Sequence, residues 1–366
     1  MPLPQKPRAI LIDIIPPQME KLVADRRLEE LELLTKTYGG FVIVKLIQKR
    51  QQPDYRTFVG SGKLEDILRI AREENAELLI INNLVKPKQL FEIEEFFRKN
   101  KSPIKVWDRI DLILKIFSKH AKTAEAKLQI KLAAIRHMGP RIFGMGSELM
   151  QQTGGIGTRG QGETNTEVMK RHLAKQEEQT EKQLEKVAAS RQLHRDRRDR
   201  IGLKTVSVVG YTNAGKSTLV NALTNKGAYV ANELFATLDT HVGKMWGEKP
   251  VLISDTIGFI QDLPPQLVSA FRSTLDETVD ADLLLHVIDA TDPHVCEKIE
   301  EVEDVLKQIN VTNTPKIYVF NKIDALPNKR KLPCKGTFPE FSPVYVSAAK
   351  GTGLEALKKA IEKKLF

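Results

Sequence analysis

The sequence predicts an α/β chain in three parts: a small α/β domain at 1–109, a long antiparallel helical hairpin at 110–203, and an open α/β sheet domain at 204–366. Three observations carry this. Apolar strand-like runs alternate with helical stretches through the first hundred or so residues. From Ile110 the strands disappear, and two helical stretches flank a glycine-rich break. From Lys204 the alternation returns, and each short apolar run ends where a polar or glycine-rich motif begins.

In the first part, Ala9–Ile15 reads as a buried strand and Leu28–Tyr38 has helical spacing. Gly39-Gly40 stops that helix before a second strand, Phe41–Leu46. Helix, strand, helix and strand follow at Lys63–Asn75, Glu77–Asn82, Lys88–Arg98 and Ile104–Trp107, which predicts a largely parallel sheet. Gly60-Ser61-Gly62-Lys63 lacks the first glycine that a phosphate loop requires, and reads as a turn into a helix.

In the second part, the first helix runs from about Thr123 to about His137, with Leu128, Leu132 and Ile135 on one face. The second runs from about Thr164 to about Ile201; at 1.5 Å per residue it extends about 50 Å, longer than a small domain is wide. Its apolar positions are sparse and its surface is crowded with Lys, Arg and Glu. Between the helices, Gly155, Gly157 and Gly160 let backbone approach a surface closely, and Arg159 offers bidentate recognition of phosphate or base. Such a tip suits docking into structured RNA, or is a plain interhelical loop. Arg195 and Arg198, in a cluster with Arg191, Arg197 and Arg200, read either as a footing for phosphates or as a solvated helix end.

The net charge of +10 favours polyanionic partners, or reflects a generically basic protein. No eighteen-residue uncharged apolar run exists, so a membrane span is not expected. Met1–Lys6 lacks a signal-peptide layout, and Cys296 and Cys334 read as ordinary thiols.

The third part holds the chemistry. Thr205–Val209, Val251–Ser254, Leu283–Ile288, Ile317–Phe320 and Val344–Val346 are its apolar runs. Gly210-Tyr211-Thr212-Asn213-Ala214-Gly215-Lys216-Ser217 fits G-x-x-x-x-G-K-[ST], follows a strand and opens a helix that continues with Thr218. The N–H groups of Asn213 to Lys216 are expected to wrap a β-phosphate at the positive helix end. Lys216 is expected to bridge β- and γ-phosphates, and the Ser217 hydroxyl to ligate Mg²⁺.

Asp255-Thr256-Ile257-Gly258 closes the second run. Asp255 can hold Mg²⁺ through a water, and the Gly258 N–H can bond a γ-phosphate. Asn321-Lys322-Ile323-Asp324 ends another strand, and the Asp324 carboxylate can accept from N1–H and N2–H₂ of guanine, a pair that adenine lacks. Ser347-Ala348-Ala349-Lys350 offers a backbone N–H toward guanine O6. Four such motifs in order, each at a strand end, predict a P-loop G domain that takes GTP and GDP.

Phe235-Ala236-Thr237-Leu238-Asp239-Thr240 lies between the P-loop and Asp255, where a threonine is needed to complete the Mg²⁺ shell. Phe259 follows Gly258 at a position where many signalling GTPases place a water-orienting glutamine. Phenylalanine cannot orient water, so basal hydrolysis is expected to be slow, with a partner, a rearranged loop, or a side chain such as Asp239 or Gln261 supplying the polarity.

On these motifs the chain resembles the HflX family of translational GTPases, within the Obg–HflX group. Leu234–Asp239 and Asp255–Ile260 carry the resemblance in the G domain, as do Trp107-Asp108-Arg109, Ala124–Gln129 and Thr153–Gly160 outside it. It implies a monomeric cytoplasmic factor, at most loosely membrane-associated, that binds the large ribosomal subunit and its RNA. With GTP such a factor splits stalled or idle ribosomes, particularly under stress. The resemblance also implies that Ser217 and Thr237 ligate Mg²⁺, that Lys216, Thr237 and Gly258 serve catalysis, and that hydrolysis is ribosome-stimulated. Related readings are a ribosome-assembly GTPase and a GTP-gated RNA-binding or protease-regulating adaptor. Gln161 stands where the family usually has proline, and with Leu354–Leu365 as the last helix the extra C-terminal domain of some members is not expected.

Overall fold

The computed structural model describes residues 6–152, 165–224, 241–245, 249–255, 258–260, 267, 278–326 and 343–366. The chain forms two compact units, one of residues 1–119 with 128–183 and the other of 120–127 with 184–366.

In the first unit, β1 (Arg8–Ile15), α1 (Lys21–Tyr38), β2 (Phe41–Lys49), α2 (Ser61–Glu73), β3 (Leu78–Ile81), α3 (Pro87–Lys99), β4 (Lys105–Asp108) and α4 (Arg109–His120) follow in order. The strands make a wholly parallel sheet in the order β2-β1-β3-β4. Strand side chains alternate between faces, so Ile10, Ile12, Ile14, Leu79, Ile81 and Val106 pack on one side with α2 and α3. Leu11 and Ile80 point the other way and are fully buried, as is Leu31 of α1. Both faces are thus covered, as a parallel sheet requires. Gly60 is the residue before α2, so Gly60–Lys63 is a turn into a helix.

The first hairpin helix, α5, runs Ala124–Gln152, well beyond the expected end near His137. It continues through Pro140 and the glycines at 139, 144 and 146, where local propensity alone would end a helix. The second, α6, spans Asn165–Arg200. Arg136 donates to Glu177 and Glu181 at 2.7 and 2.5 Å, while Gly139 lies against Leu173; register that falls on one helix as it rises on the other makes the pair antiparallel.

The second unit contains β5 (Lys204–Val209), α7 (Lys216–Thr224), β6 (His241–Met245), β7 (Val251–Asp255), β8 (Leu283–Asp289), α8 (Val295–Gln308), β9 (Lys316–Asn321), β10 (Val344–Tyr345) and α9 (Leu354–Leu365). The sheet order is β10-β9-β8-β5-β7-β6, parallel except for β6 against β7. The β6 strand was not legible in the sequence: His-Val-Gly-Lys-Met has no strong alternation and is extended through its pairing with β7. Helices α7 and α9 cover one face through Leu219, Leu223, Leu357 and Ile361. Helix α8 covers the other through Val302, Val305 and Leu306.

The expectation of two ordinary thiols is corrected: Cys296, in the first turn of α8, is disulfide-bonded. Cys334, the other cysteine of the chain, lies outside the described residues. The expectation came from the missing signal peptide, and compartment says nothing about which thiols the fold brings within bonding distance. Among the described residues no helix is long and apolar enough to cross a membrane.

Candidate functional site

Strand β5 is flanked by β7 on one side and β8 on the other, so successive crossovers leave it in opposite directions. That switch point, at the carboxyl ends of the strands, is where open α/β sheets bind ligands. Gly210–Gly215 joins β5 to α7 there, and α7 begins with Lys216 itself. Asn213 takes a left-handed φ of 63° and Gly215 one of 90°. A side chain on Gly215 would also collide with the Asn321 amide.

Lys216 is buried. Its Nζ donates to Gly210 O at 3.1 Å and Tyr211 O at 2.8 Å. Burial lowers its pKa to about 8, against the opposing pull of the Asp255 carboxylate. Gly258 sits against this group: a Cβ there would lie 2.8 Å from Lys216 Nζ and 2.7 Å from Thr212 Cγ2. A side chain at 258 would therefore push the Thr212 and Lys216 side chains aside.

Phe259 is turned away from the loop. Its ring is buried with Val209, Leu284 and Val302, while its backbone bonds the P-loop at both atoms. Phe259 N–H donates to Gly210 O at 3.2 Å, and its carbonyl accepts from Thr212 N–H at 2.7 Å. The side chain that follows Gly258 thus serves the core and presents no polar group to the loop mouth.

The Ser217 hydroxyl donates to Asp255 Oδ2 at 2.6 Å, bringing two hard oxygen ligands together where α7 meets the end of β7. At the other end of the site, the Asn321 side chain donates to Ala214 O at 3.0 Å and accepts from Ala348 N–H at 2.9 Å. Asp324 Oδ1 accepts from Ser347 Oγ at 2.6 Å, and Lys350 Nζ lies 3.7 Å from Oδ2. Ser347 foremost, then the Asp324 backbone N–H and Lys350, holds the Asp324 carboxyl below its usual range despite the opposing effect of burial. A carboxylate kept ionised is what accepting two guanine N–H groups demands.

Lys322 has a left-handed φ of 63°, and its Nζ bonds Asp289 Oδ2 at 2.7 Å. Asp289 was missed in the sequence, although a carboxylate closing the apolar run Leu283–Ile288 repeats the pattern of Asp255 after Val251–Ser254. Lys298, whose Nζ stands 4.6 Å from the Tyr211 ring centre, carried no sequence signal.

Phe235, Ala236, Thr237, Leu238, Asp239, Thr256, Ile257 and Gln261 lie outside the described residues, as do Gly155, Gly157, Arg159 and Gly160. Arg195 and Arg198 are on α6.

Three family models match the chain in succession: "GTP-binding GTPase N-terminal" over residues 25–118, "GTP-binding GTPase Middle Region" over 120–198, and "50S ribosome-binding GTPase" over 205–322. GTPase HflX of Caldanaerobacter subterraneus subsp. tengcongensis is 42% identical across 99% of this chain and 81% of its own length. The chain belongs to the HflX family of GTPases. GTPase HflX of Escherichia coli is 38% identical across 92% of this chain and 79% of its own. A crystal structure of SsGBP with GDP aligns over 98% of both chains at 27% identity, with a TM-score of 0.52. A GTP-binding protein of Sulfolobus solfataricus in complex with GDP aligns at 26% identity, with a TM-score of 0.50, over the same shares.

This HflX-family protein is therefore a GTPase, converting GTP to GDP and phosphate. The family implies a divalent metal bound with the nucleotide. The hydroxyl of Ser217 and the carboxylate of Asp255, already 2.6 Å apart, suit Mg²⁺ in the chemistry of their oxygens.

Proposed function

We propose that this HflX-family GTPase binds the large ribosomal subunit in its GTP state and separates the subunits of stalled or idle ribosomes, as a stress-responsive factor of the cytoplasm. In this reading residues 1–109 and 110–203 dock on ribosomal RNA, with Gly155, Gly157, Arg159, Gly160, Arg195 and Arg198 as candidate contacts. The G domain of 204–366 times release. Nucleotide would be held by Gly210–Thr218, Phe235–Asp239, Asp255–Gly258, Asn321–Asp324 and Ser347–Ala349. Mg²⁺ would be held by Ser217 and Thr237 and would screen the phosphate charge. Lys216 would neutralise the β- and γ-phosphates, and the Gly258 N–H would bond the γ-phosphate.

The observation that carries partner-dependent hydrolysis is the buried ring of Phe259. A GTPase whose post-glycine side chain is sunk in its own core must have the attacking water ordered from elsewhere, and a ribosome can provide such a surface. The net charge of +10 and the description of the model matched over 205–322 agree with a ribosomal partner.

The test is sedimentation of intact ribosomes through sucrose with saturating protein and either GTP or a non-hydrolysable analogue. Splitting predicts free subunits with both nucleotides and none with GDP. Ribosomes that remain whole with either triphosphate would sink the proposal, and binding confined to immature particles would favour an assembly role.

A further inference from the structure

The P-loop contains one buried polar side chain that the protein itself does not satisfy. Thr212 is 7% exposed, and its hydroxyl oxygen has no hydrogen-bond partner among the described residues. A buried hydroxyl without a partner costs free energy, so one kept inside a binding loop points to a partner that arrives with the ligand. We propose that the Thr212 hydroxyl donates to the terminal phosphate of GTP and thereby sets the preference of the site for triphosphate over diphosphate. The inference rests on the reading that Lys216 and the Gly258 N–H face that phosphate.

The place of Thr212 in the loop selects the phosphate. The N–H groups expected to wrap the β-phosphate belong to Asn213–Lys216 and begin one residue later. Thr212 is fixed instead against the segment that follows Asp255. Its N–H donates to the Phe259 carbonyl at 2.7 Å, and Tyr211 pairs with Phe259 as a parallel bridge. A Cβ on Gly258 would lie 2.7 Å from Thr212 Cγ2 and 2.8 Å from Lys216 Nζ. The threonine side chain, the lysine ammonium and the Gly258 backbone therefore meet at one point. Two of the three are the groups proposed to meet the γ-phosphate, and the third carries a hydroxyl proton to donate.

The chemistry suits discrimination. A β-branched side chain is stiff at χ1, so the hydroxyl loses little freedom when it bonds a nucleotide. A bond to an anionic oxygen is stronger than one between neutral groups, and makes a difference of about tenfold or more in affinity. GDP has no third phosphate to accept it. The hydroxyl therefore favours one nucleotide without adding to the binding of the other.

The test is the ratio of affinities for a non-hydrolysable GTP analogue and for GDP, measured on the full chain by titration calorimetry with Mg²⁺. Thr212→Val keeps the branched shape without the hydroxyl, Thr212→Ala removes hydroxyl and bulk together, and Thr212→Ser keeps the hydroxyl. The Val and Ala variants should each lower the preference for the analogue by at least about fivefold, with GDP affinity, the control for folding, within about twofold of wild type. The Ser variant should keep the wild-type ratio. A smaller fall, or an equal loss for both nucleotides, overturns the proposal. So does a loss in Thr212→Val that is absent in Thr212→Ala, which marks crowding by the added methyl. A hydroxyl that only ordered the attacking water would lower turnover with the ratio intact, and that result also overturns it. Lys216→Ala separates the two readings. If it retains the analogue, the placement of the phosphates fails and this inference with it; if it loses the analogue while the Thr212 variants keep the wild-type ratio, this inference alone fails. Should the Val and Ala variants both lose GDP binding and so fail to fold, ¹³C-methyl-threonine spectra of the wild type decide. A Thr212 methyl resonance, located by its loss in Thr212→Ser, that shifts with the analogue and not with GDP supports the proposal. One that responds equally to both refutes it.

Discussion

Asn321 Nδ2 donates to the carbonyl of Ala214 at 3.0 Å across 107 positions of sequence, tying the last residue of β9 to the turn of the P-loop. Its Oδ1 meanwhile accepts from Ala348 N–H. One amide therefore sets the spacing between the P-loop and the Ser347–Ala349 turn.

Asn321→Ala would leave the Ala214 carbonyl and the Ala348 N–H without this partner, at a cost of about 1–3 kcal/mol for each buried group. A loss of roughly tenfold or more in GDP affinity follows, together with a lower melting temperature. Fluorescent-nucleotide titration checks the first; unchanged affinity would mean the tie is idle.

Lys216→Ala should abolish GTP binding, because it would remove the buried cation proposed to neutralise the β- and γ-phosphates. The variant should fold, since the lost Nζ bonds are replaced by no new buried charge. Equilibrium binding of a non-hydrolysable GTP analogue is the measurement, and retained affinity would refute the assignment.

Asp324→Asn should move preference from guanine toward xanthine nucleotides, whose carbonyl at the 2-position can accept from the new amide. Ser347→Ala should weaken guanine binding more modestly, by releasing the carboxylate from the hydroxyl that orients it at 2.6 Å. Competition between GDP and XDP separates the outcomes; undiminished guanine preference in Asp324→Asn would remove that residue from base reading.

Phe259→Gln tests whether the missing glutamine can simply be restored. The position is buried among Val209, Leu284 and Val302, so the amide would enter the core without a partner and leave unfilled volume. We expect a destabilisation of roughly 3 kcal/mol and no rise in basal GTP hydrolysis. A folded variant with faster basal turnover would contradict the orientation of this residue.

His137 contributes a pH-dependent term to stability. Burial lowers its pKa, but the hydrogen bonds and charges of Asp108 and Asp111 prevail and raise it to about 9. A raised histidine pKa stabilises the fold below the unfolded value of about 6.5, and the contribution fades as pH climbs through about 9. The stability gap between wild type and His137→Gln, on the order of 3 kcal/mol by that shift, should therefore shrink from pH 6.5 to pH 9.5 in urea denaturation. A gap that is constant with pH would mean that folding leaves the imidazole pKa unshifted.

Much of the site was legible because its motifs are local. A glycine-lysine turn after an apolar run, and Asn-Lys-x-Asp after another, state their chemistry within a few residues. What escaped was set across the chain. His-Val-Gly-Lys-Met is a strand only because β7 lies beside it, and α5 passes Pro140 although proline usually ends a helical pattern. Asp289 gained its role from Lys322, thirty-three positions away.

The sequence by itself determined the alternation of most strands and helices, the P-loop, the Asn-Lys-x-Asp turn at 321–324, and the family, because each depends on residue types at short fixed spacing. The tertiary structure decided where those groups act. It turned the Phe259 ring into the core, bound Asn321 to the P-loop, and gathered Asp108, Asp111 and His137 around one buried point. Each of these is a contact between segments remote in the chain, settled by sheet order and helix packing.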